Sequence, residues 1–389
     1  MMERHKMLTN KRFRRFLSEF NQIVEAYCDS YVKKKVDWVE YERDYRDRIR
    51  YVSAELNNIV NEASSFIIID RSNRGRRPKL TQQKKVVSLF IKSIVKQSNR
   101  KMAGLISLFG ALDGINISYK TAERLYSDGI VRAIIHNIFI LTIKKKKLRD
   151  VDVTGDGTGY SLTVTKHYRT QGSKDGSKNY VYSFNLMDLK TGLYVCYGIG
   201  VKSEKEAYNR AIEMLKEVKE RCNIKIRSER LDKYYSYQST LKTADKETIL
   251  YILPRKDTRV NGPFRWRSIF RRLMKDPFTY LSEYYKRENS ESGFSVDKRA
   301  FGWKIWQKRD DRIGTAIDCI VASYLYLKCS NLDSFNRHDY VNSSNIFKHN
   351  SSLMNCNHIS LHLCICHKHG LIKITGTEMN IHRSHTAIL

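Results

Sequence analysis

Three acidic residues of this chain stand in settings that suit metal-assisted chemistry on phosphate. The first is Asp156, in Val151-Asp-Val-Thr-Gly-Asp-Gly-Thr-Gly-Tyr160. Gly155, Gly157 and Gly159 leave the backbone there uncrowded, so a cation and a phosphate can approach closely. Asp152 is its rival, because residues four apart share a face in a regular strand; the glycine setting favours Asp156. The second acid, Asp232 in Arg230-Leu-Asp-Lys-Tyr-Tyr235, directly follows an expected strand, where open sheets carry functional loops. Taken alone it reads first as an ordinary surface residue. The third is Glu291, which is spaced with Tyr284, Arg287 and Lys298 at intervals of three, four and seven. On one continuous helix, at about 100° per residue, these four positions fall within an arc of roughly 60°. Hydroxyl, guanidinium, carboxylate and ammonium then project together. A solvated charged face is the competing explanation, and Glu288 and Asp297 are neighbouring acids that compete for the assignment.

Three carboxylates are what phosphodiester chemistry needs. Mg²⁺ prefers oxygen ligands, and two ions about 3.5 to 4 Å apart clamp the attacking and leaving oxygens. Two Mg²⁺ ions are the expected cofactor, with Mn²⁺ as a substitute. Arg287 and Lys298 would hold the flanking phosphates, one as a planar fork and the other as a point charge. Water as nucleophile gives nicking, whereas a DNA 3′-hydroxyl in the same place gives strand transfer.

The charge balance agrees with a polyanionic partner: 71 Lys and Arg against 41 Asp and Glu leave a surplus of 30 positive charges over 389 residues. The longest apolar stretch, 129–143, is interrupted by Arg132, His136 and Asn137 and falls short of a bilayer span, so no membrane helix is expected. The segment 1–11 is charged and lacks the apolar core of a signal peptide. The expectation is therefore a cytoplasmic, nucleoid-associated protein whose eight cysteines are mostly free thiols.

Four regions must position these residues. Residues 1–70 read as an N-terminal helical region, with Phe16, Phe20, Ile23 and Val24 at helical spacing. Residues 71–147 open with a basic arm, Arg71-Ser-Asn-Arg-Gly-Arg-Arg-Pro-Lys79, that holds no regular element. Arg74, Arg76 and Arg77 fit a narrow DNA minor groove there, although a solvated hinge has the same composition. A helix capped by Thr81 follows, then one over Lys101–Leu112, then a short helix from Tyr119 to Ser127 capped by Ser118. That spacing is helix-turn-helix-like and leaves Tyr119, Lys120 and Arg124 exposed to read DNA; a purely structural bundle is the alternative.

Residues 148–330 change to alternating runs. Strands are expected over Val151–Thr165, Tyr180–Leu189 and Leu193–Val201, then a helix opened by Ser203 and Glu206 as a capping box and ending near Arg221. A strand over Ile224–Arg230, a short helix around Tyr237–Ala244 and a strand over Thr248–Leu253 complete the order. That order makes the fold class α/β, an RNase H-like mixed five-stranded sheet flanked by helices, behind an N-terminal all-α DNA-binding region. Two further helices are legible, Tyr280–Lys298 and Asp311–Lys328. Trp266, Trp303 and Trp306, beside Arg265, Arg267 and Lys304, suit stacking on flipped bases, with core packing expected for at least two of the three. Residues 331–389 hold eight of the eleven histidines and read as a weakly structured tail. Zinc binding by Cys356, His358, Cys364, Cys366, His367 and His369 is conceivable, but no paired ligand pattern is present.

The Asp-Gly-Thr-Gly run, the Leu-Asp-Lys-Tyr-Tyr run and the Tyr-Arg-Glu-Lys signature together resemble prokaryotic DDE insertion-sequence transposases, of the archaeal, methanogen type. The resemblance covers roughly residues 70 to 330, and Asn289-Ser-Glu-Ser-Gly-Phe-Ser-Val-Asp-Lys-Arg299 is its most distinctive piece. It implies a dimeric synapse on double-stranded DNA, both element ends and target. It also implies Asp156, Asp232 and Glu291 as metal ligands, with Tyr284, Arg287 and Lys298 contacting DNA near the cleaved end. The tail has no counterpart in it. Two other functions share these features: an RNase H-like nuclease or resolvase, and a DNA binder without catalysis, such as a decayed transposase or a repressor.

Overall fold

The computed structural model describes residues 8–30, 39, 54–70, 79–113, 116–162, 180–329 and 372–375. Its helices are α1 (Asn10–Ser30), α2 (residues 54–65), α3 (Gln82–Val95), α4 (Asn99–Asp113), α5 (Tyr119–Arg124) and α6 (Gly129–Lys145), followed by α7 (Glu204–Cys222), α8 (Phe264–Lys275), α9 (Pro277–Tyr285), α10 (Glu288–Phe301) and α11 (Asp310–Cys329). The strands are β1 (Ile67–Asp70), β2 (Asp150–Leu162), β3 (Tyr180–Asp188), β4 (Tyr194–Gly200), β5 (Lys225–Leu231), β6 (Ile249–Ile252), β7 (Lys304–Ile305) and β8 (Ile372–Thr375).

The main sheet runs in the order β4-β3-β2-β5-β6, with β7 added against β2. The β2–β3 and β3–β4 pairs are antiparallel, whereas β5 and β7 run parallel to β2 and β6 runs parallel to β5. The expected five strands are thus joined by a sixth. Two residues carry no alternation that periodicity detects, and β7 exists because the end of β2 offers it backbone partners: Ser161 pairs with Lys304 and Leu162 with Ile305.

Helix α7 lies across β3 and β4. The close approach depends on Gly198, where a Cβ would run into the backbone of Ala207 and Ala211. Ser203 caps α7 by accepting the Glu206 N–H at 3.2 Å, while the Glu206 carboxylate reaches one residue past the expected partner, to the Lys202 N–H at 2.8 Å. Thr81 and Ser118 cap their helices as the sequence indicates, through Lys84 N–H and Thr121 N–H, each at 3.2 Å. On α6 ten consecutive or near-consecutive positions from Val131 to Ile143 are buried, and the helix packs against α11. The Arg132 Nε donates to Asp318 Oδ2 at 2.7 Å, and the Tyr197 hydroxyl donates to Asp318 Oδ1 at 3.0 Å, which ties α6 and α11 to β4. One hydrophobic core runs from Phe13 to Cys329.

Among the described residues no single helix is long and apolar enough to cross a membrane. The described cysteines, Cys28, Cys196, Cys222, Cys319 and Cys329, are free thiols. Strand β8, from the tail, pairs in parallel with β1. The six cysteines and histidines of the zinc alternative lie outside the described residues, as do Arg74, Arg76 and Arg77 of the basic arm.

The continuous helix expected from Tyr280 to Lys298 is broken between Tyr285 and Glu288. The cause is Arg230 of β5. Its Nε takes the Glu283 carbonyl at 2.8 Å, and its guanidinium also bonds the Glu283 carboxylate at 2.5 Å. The Arg287 N–H therefore bonds the Tyr284 carbonyl, three residues back, at 3.0 Å instead of the helical partner four back.

Candidate active site

Strand register brings two of the three expected acids together. β5 pairs with β2 as far as Leu231 opposite Gly155, so the chain leaves the sheet at Asp232 beside Asp156. β2 continues to Leu162 and meets β7 only at Ser161. Between the two neighbours the edge from Asp156 to Tyr160 is a notch, about 17 Å long at 3.3 Å per residue. Asp156 Oδ1 accepts the Gly157 N–H at 2.9 Å. Asp232 caps the turn Lys233–Tyr235, its side chain accepting the Tyr234 N–H.

Arg287 sits between them. Its guanidinium lies 3.8 Å from Asp156 Oδ2 and 3.7 Å from Asp232 Oδ2, with all three side chains largely shielded from solvent. One cation thereby offsets two carboxylates that would otherwise repel each other. The break between α9 and α10 is what aims it: Arg287 stands in the turn, not on a helix face. Tyr284 is buried and packs its ring 5.7 Å from the Arg287 guanidinium, with burial raising its hydroxyl pKa. Its position is under Arg287, not beside it on an open surface. The single helical face expected for Tyr284, Arg287, Glu291 and Lys298 is therefore replaced by three elements: Tyr284 on α9, Arg287 in the turn, Glu291 and Lys298 on α10. The backbone of Glu291 lies in the first half of α10, and its side chain is outside the described residues.

The rival acids are accounted for. Asp152 is held by Arg227 and Ser228; burial opposes its ionisation, but the Ser228 hydrogen bond and the Arg227 charge outweigh it and keep the carboxyl below its ordinary range. Asp297 is fully buried and accepts the Tyr194 hydroxyl at 2.6 Å, and burial drives its pKa well above the carboxylate range. Its carboxyl is part of the core. Glu288 is exposed at the start of α10.

Lys298 Nζ lies 5.7 Å from the ring of Tyr160 and 5.0 Å from that of Trp303, and burial lowers its pKa. Trp303 and Trp306 flank β7 and are 63% and 60% exposed. Of the three tryptophans only Trp266 is in the core, where its Nε1 donates to the Arg259 carbonyl at 2.8 Å. The expectation that at least two would be buried is corrected: β7 is too short to be covered on both faces, so its flanking indoles stay in solvent. Lys120 and Arg124 are exposed on α5, as expected.

Sequence reading missed Glu204 and Arg230. Glu204, at the start of α7, accepts the Tyr235 hydroxyl at 2.5 Å, and its carboxyl occupies the space where a Cβ on Gly157 would stand. The glycine after Asp156 was the available signal. For Arg230, buried on β5 beside Ser228 and Glu229, no local pattern names its partner 53 residues on.

The two described donors are carboxylates, the oxygen ligands that a hard divalent cation takes. Among the described residues no group of three or more His, Cys, Asp and Glu side chains stands ready to hold a metal ion. A cleft of about 790 Å³ opens at the other end of β2, lined by Arg227, Arg230 and Lys286 among others; Asp156, Asp232 and Arg287 do not line it.

The fold and this site define an α/β protein with a mixed six-stranded sheet flanked by helices, an N-terminal helical region and an acidic pair at a sheet notch. No protein-family model matches the chain. It is 40% identical over 305 residues, 78% of this chain and 92% of the relative, to the "Probable transposase for insertion sequence element ISA1214" of Archaeoglobus fulgidus. The chain belongs to the transposases of insertion sequence elements.

Proposed function

We propose that this transposase is of the DDE type, with residues 148–330 forming an RNase H-like catalytic domain that cuts and rejoins double-stranded DNA at the ends of its element. The observation that carries the reading is the convergence of Asp156, from the middle of β2, and Asp232, from the end of β5, on the one guanidinium of Arg287. That guanidinium precedes by one residue the helix on which Glu291 lies. In this reading Asp156, Asp232 and Glu291 hold two Mg²⁺ ions, with Mn²⁺ as a substitute. When bound, the ions activate the nucleophile and stabilise the leaving 3′ oxygen.

The chain's own side chains supply binding and orientation. Arg287 and Lys298 grip phosphates on either side of the scissile bond, and Tyr284 fixes Arg287 from beneath. Arg74, Arg76 and Arg77 of the basic arm and Lys120 and Arg124 of α5 hold the duplex as well. Water placed against the phosphodiester gives a nick, and a 3′-hydroxyl placed there gives strand transfer into target DNA. Two copies of the chain pair on DNA, one for each end.

The test is cleavage of a labelled duplex carrying the element's own flanking ends, with Mg²⁺ or Mn²⁺, by the native chain and by Glu291→Gln. Metal-dependent nicks at the ends that vanish in the variant, with binding retained, support the assignment. Unchanged cleavage removes Glu291 from the site. Binding without cleavage by the native chain favours a non-catalytic DNA binder.

A further inference from the structure

Glu204 opens α7, one residue after the capping Ser203. A carboxylate in the first turn is favoured by the helix dipole, which suits it to stand at the rim of a charged site. From there it touches both segments that carry the two aspartates. Its Oε1 accepts the Tyr235 hydroxyl at 2.5 Å. Tyr235 ends the turn that Asp232 caps, and the Tyr235 N–H bonds the Asp232 carbonyl at 2.9 Å. The same carboxyl lies against the backbone of Gly157, where a Cβ would collide with it. Gly157 follows Asp156 directly, and its N–H donates to the Asp156 carboxylate at 2.9 Å.

Side chains alternate along a strand, so Asp156 and the missing side chain of Gly157 point to opposite faces. Glu204 therefore braces the pair from behind, on the face covered by α7, while Arg287 meets it in front. The Tyr235 ring is buried and lies 5.3 Å from the Phe184 ring and 5.0 Å from the Tyr208 ring, which hold it in place. A Cβ at 157 would displace the Glu204 carboxyl from this place.

We propose that Glu204 is a positioning residue: acting through Tyr235 and Gly157, it sets the spacing of Asp156 and Asp232 and with it their affinity for a divalent cation. This rests on the reading of those two aspartates as metal-holding carboxylates. Groups that orient metal ligands from behind influence affinity strongly even though they never meet the ion.

The experiment is a calorimetric titration of the full chain with Mn²⁺, run beside metal-free thermal unfolding, for native protein and for Asp156→Asn, Glu204→Ala, Glu204→Gln and Tyr235→Phe. Asp156→Asn is expected to lose the ion. Glu204→Ala and Tyr235→Phe weaken binding roughly tenfold or more, while Glu204→Gln, which keeps an oxygen for the Tyr235 hydroxyl, stays within about threefold of native. Tyr235→Phe removes a single oxygen and serves if Glu204→Ala does not fold. Native affinity in both Glu204→Ala and Tyr235→Phe, with the ion lost in Asp156→Asn, overturns the positioning role and leaves the proposed function standing. Glu204→Gln as weak as Glu204→Ala also overturns it, because charge and not the hydrogen bond then matters. Mn²⁺ binding absent from the native chain, or unaffected by Asp156→Asn, overturns the metal assignment itself, and this inference with it.

Discussion

The strand that delivers Asp232 carries a buried acid, and replacing it gives a pH dependence that can be worked out in advance. Glu229 is 3% exposed on β5, and burial raises its pKa from 4.5 to about 7, with Lys219 and Arg265 opposing the shift and Asp245 adding to it. The folded state thus keeps a proton that the unfolded chain has already released between these values. Stability from this group is fully present below 4.5 and is lost as pH rises through about 7. Taking 1.36 kcal/mol per pKa unit, the full loss is roughly 3 kcal/mol, and about 2 kcal/mol of it develops between about pH 5.5 and about pH 8.5. Glu229→Gln removes the titration and leaves shape and volume nearly unchanged. Urea unfolding of both proteins at the two pH values reads the difference: the native chain should lose about 2 kcal/mol more than the variant across that interval. A stability gap that stays constant with pH would show that Glu229 is not neutral in the fold. The buried strand would then hold a charge compensated by its surroundings, with Lys219 and Arg265 the cations that oppose the shift.

Other expected outcomes test the site and its supports. Arg287→Lys keeps the charge but loses the planar fork, and should lower end cleavage about a hundredfold in the duplex assay while metal-free stability stays near native. Arg230→Ala leaves the Glu283 carboxylate to Lys286 alone and empties a buried site, so chemical denaturation should show a loss of about 2 kcal/mol. Trp303 and Trp306, at 63% and 60% exposed, should report DNA directly: a single-stranded oligonucleotide quenches the fluorescence of the native chain, and the double variant Trp303→Phe, Trp306→Phe loses most of that quenching. Duplex affinity should fall steeply and linearly in log salt, and a flat salt response would argue against the use of the basic surplus on phosphates.

What the sequence made legible is what neighbours along the chain determine. Caps at Thr81, Ser118 and Ser203 and the apolar runs of β3 and β4 depend on residues a few positions apart, and each stands where it was expected. The places of Asp156 and Asp232 in the sheet were legible for the same reason: one lies among glycines on a long strand and the other at a strand end. The single face of Tyr284, Arg287, Glu291 and Lys298 was not, because its assumption of a continuous helix fails at a contact that no periodicity records. Arg230 captures a carbonyl 53 residues further along and turns a helix into two. That capture is also what lets Arg287 leave the helix and meet both aspartates.

The same distinction explains β7 and Glu204. A two-residue strand has no pattern of its own and is defined by the free edge of β2, and a glutamate at a helix start looks like ordinary capping until the strand beside it is known. In each case a long-range partner supplies the missing information, and in each case the partner lies at the notch beside Asp156. The strongly local parts of this chain build the sheet, and the non-local contacts of Arg230, Glu204 and β7 shape the opening in it. A substitution that spares every cap and every apolar stripe but removes one of these three contacts should therefore leave the fold and alter the site, which is the pattern that the Tyr235→Phe titration is placed to detect.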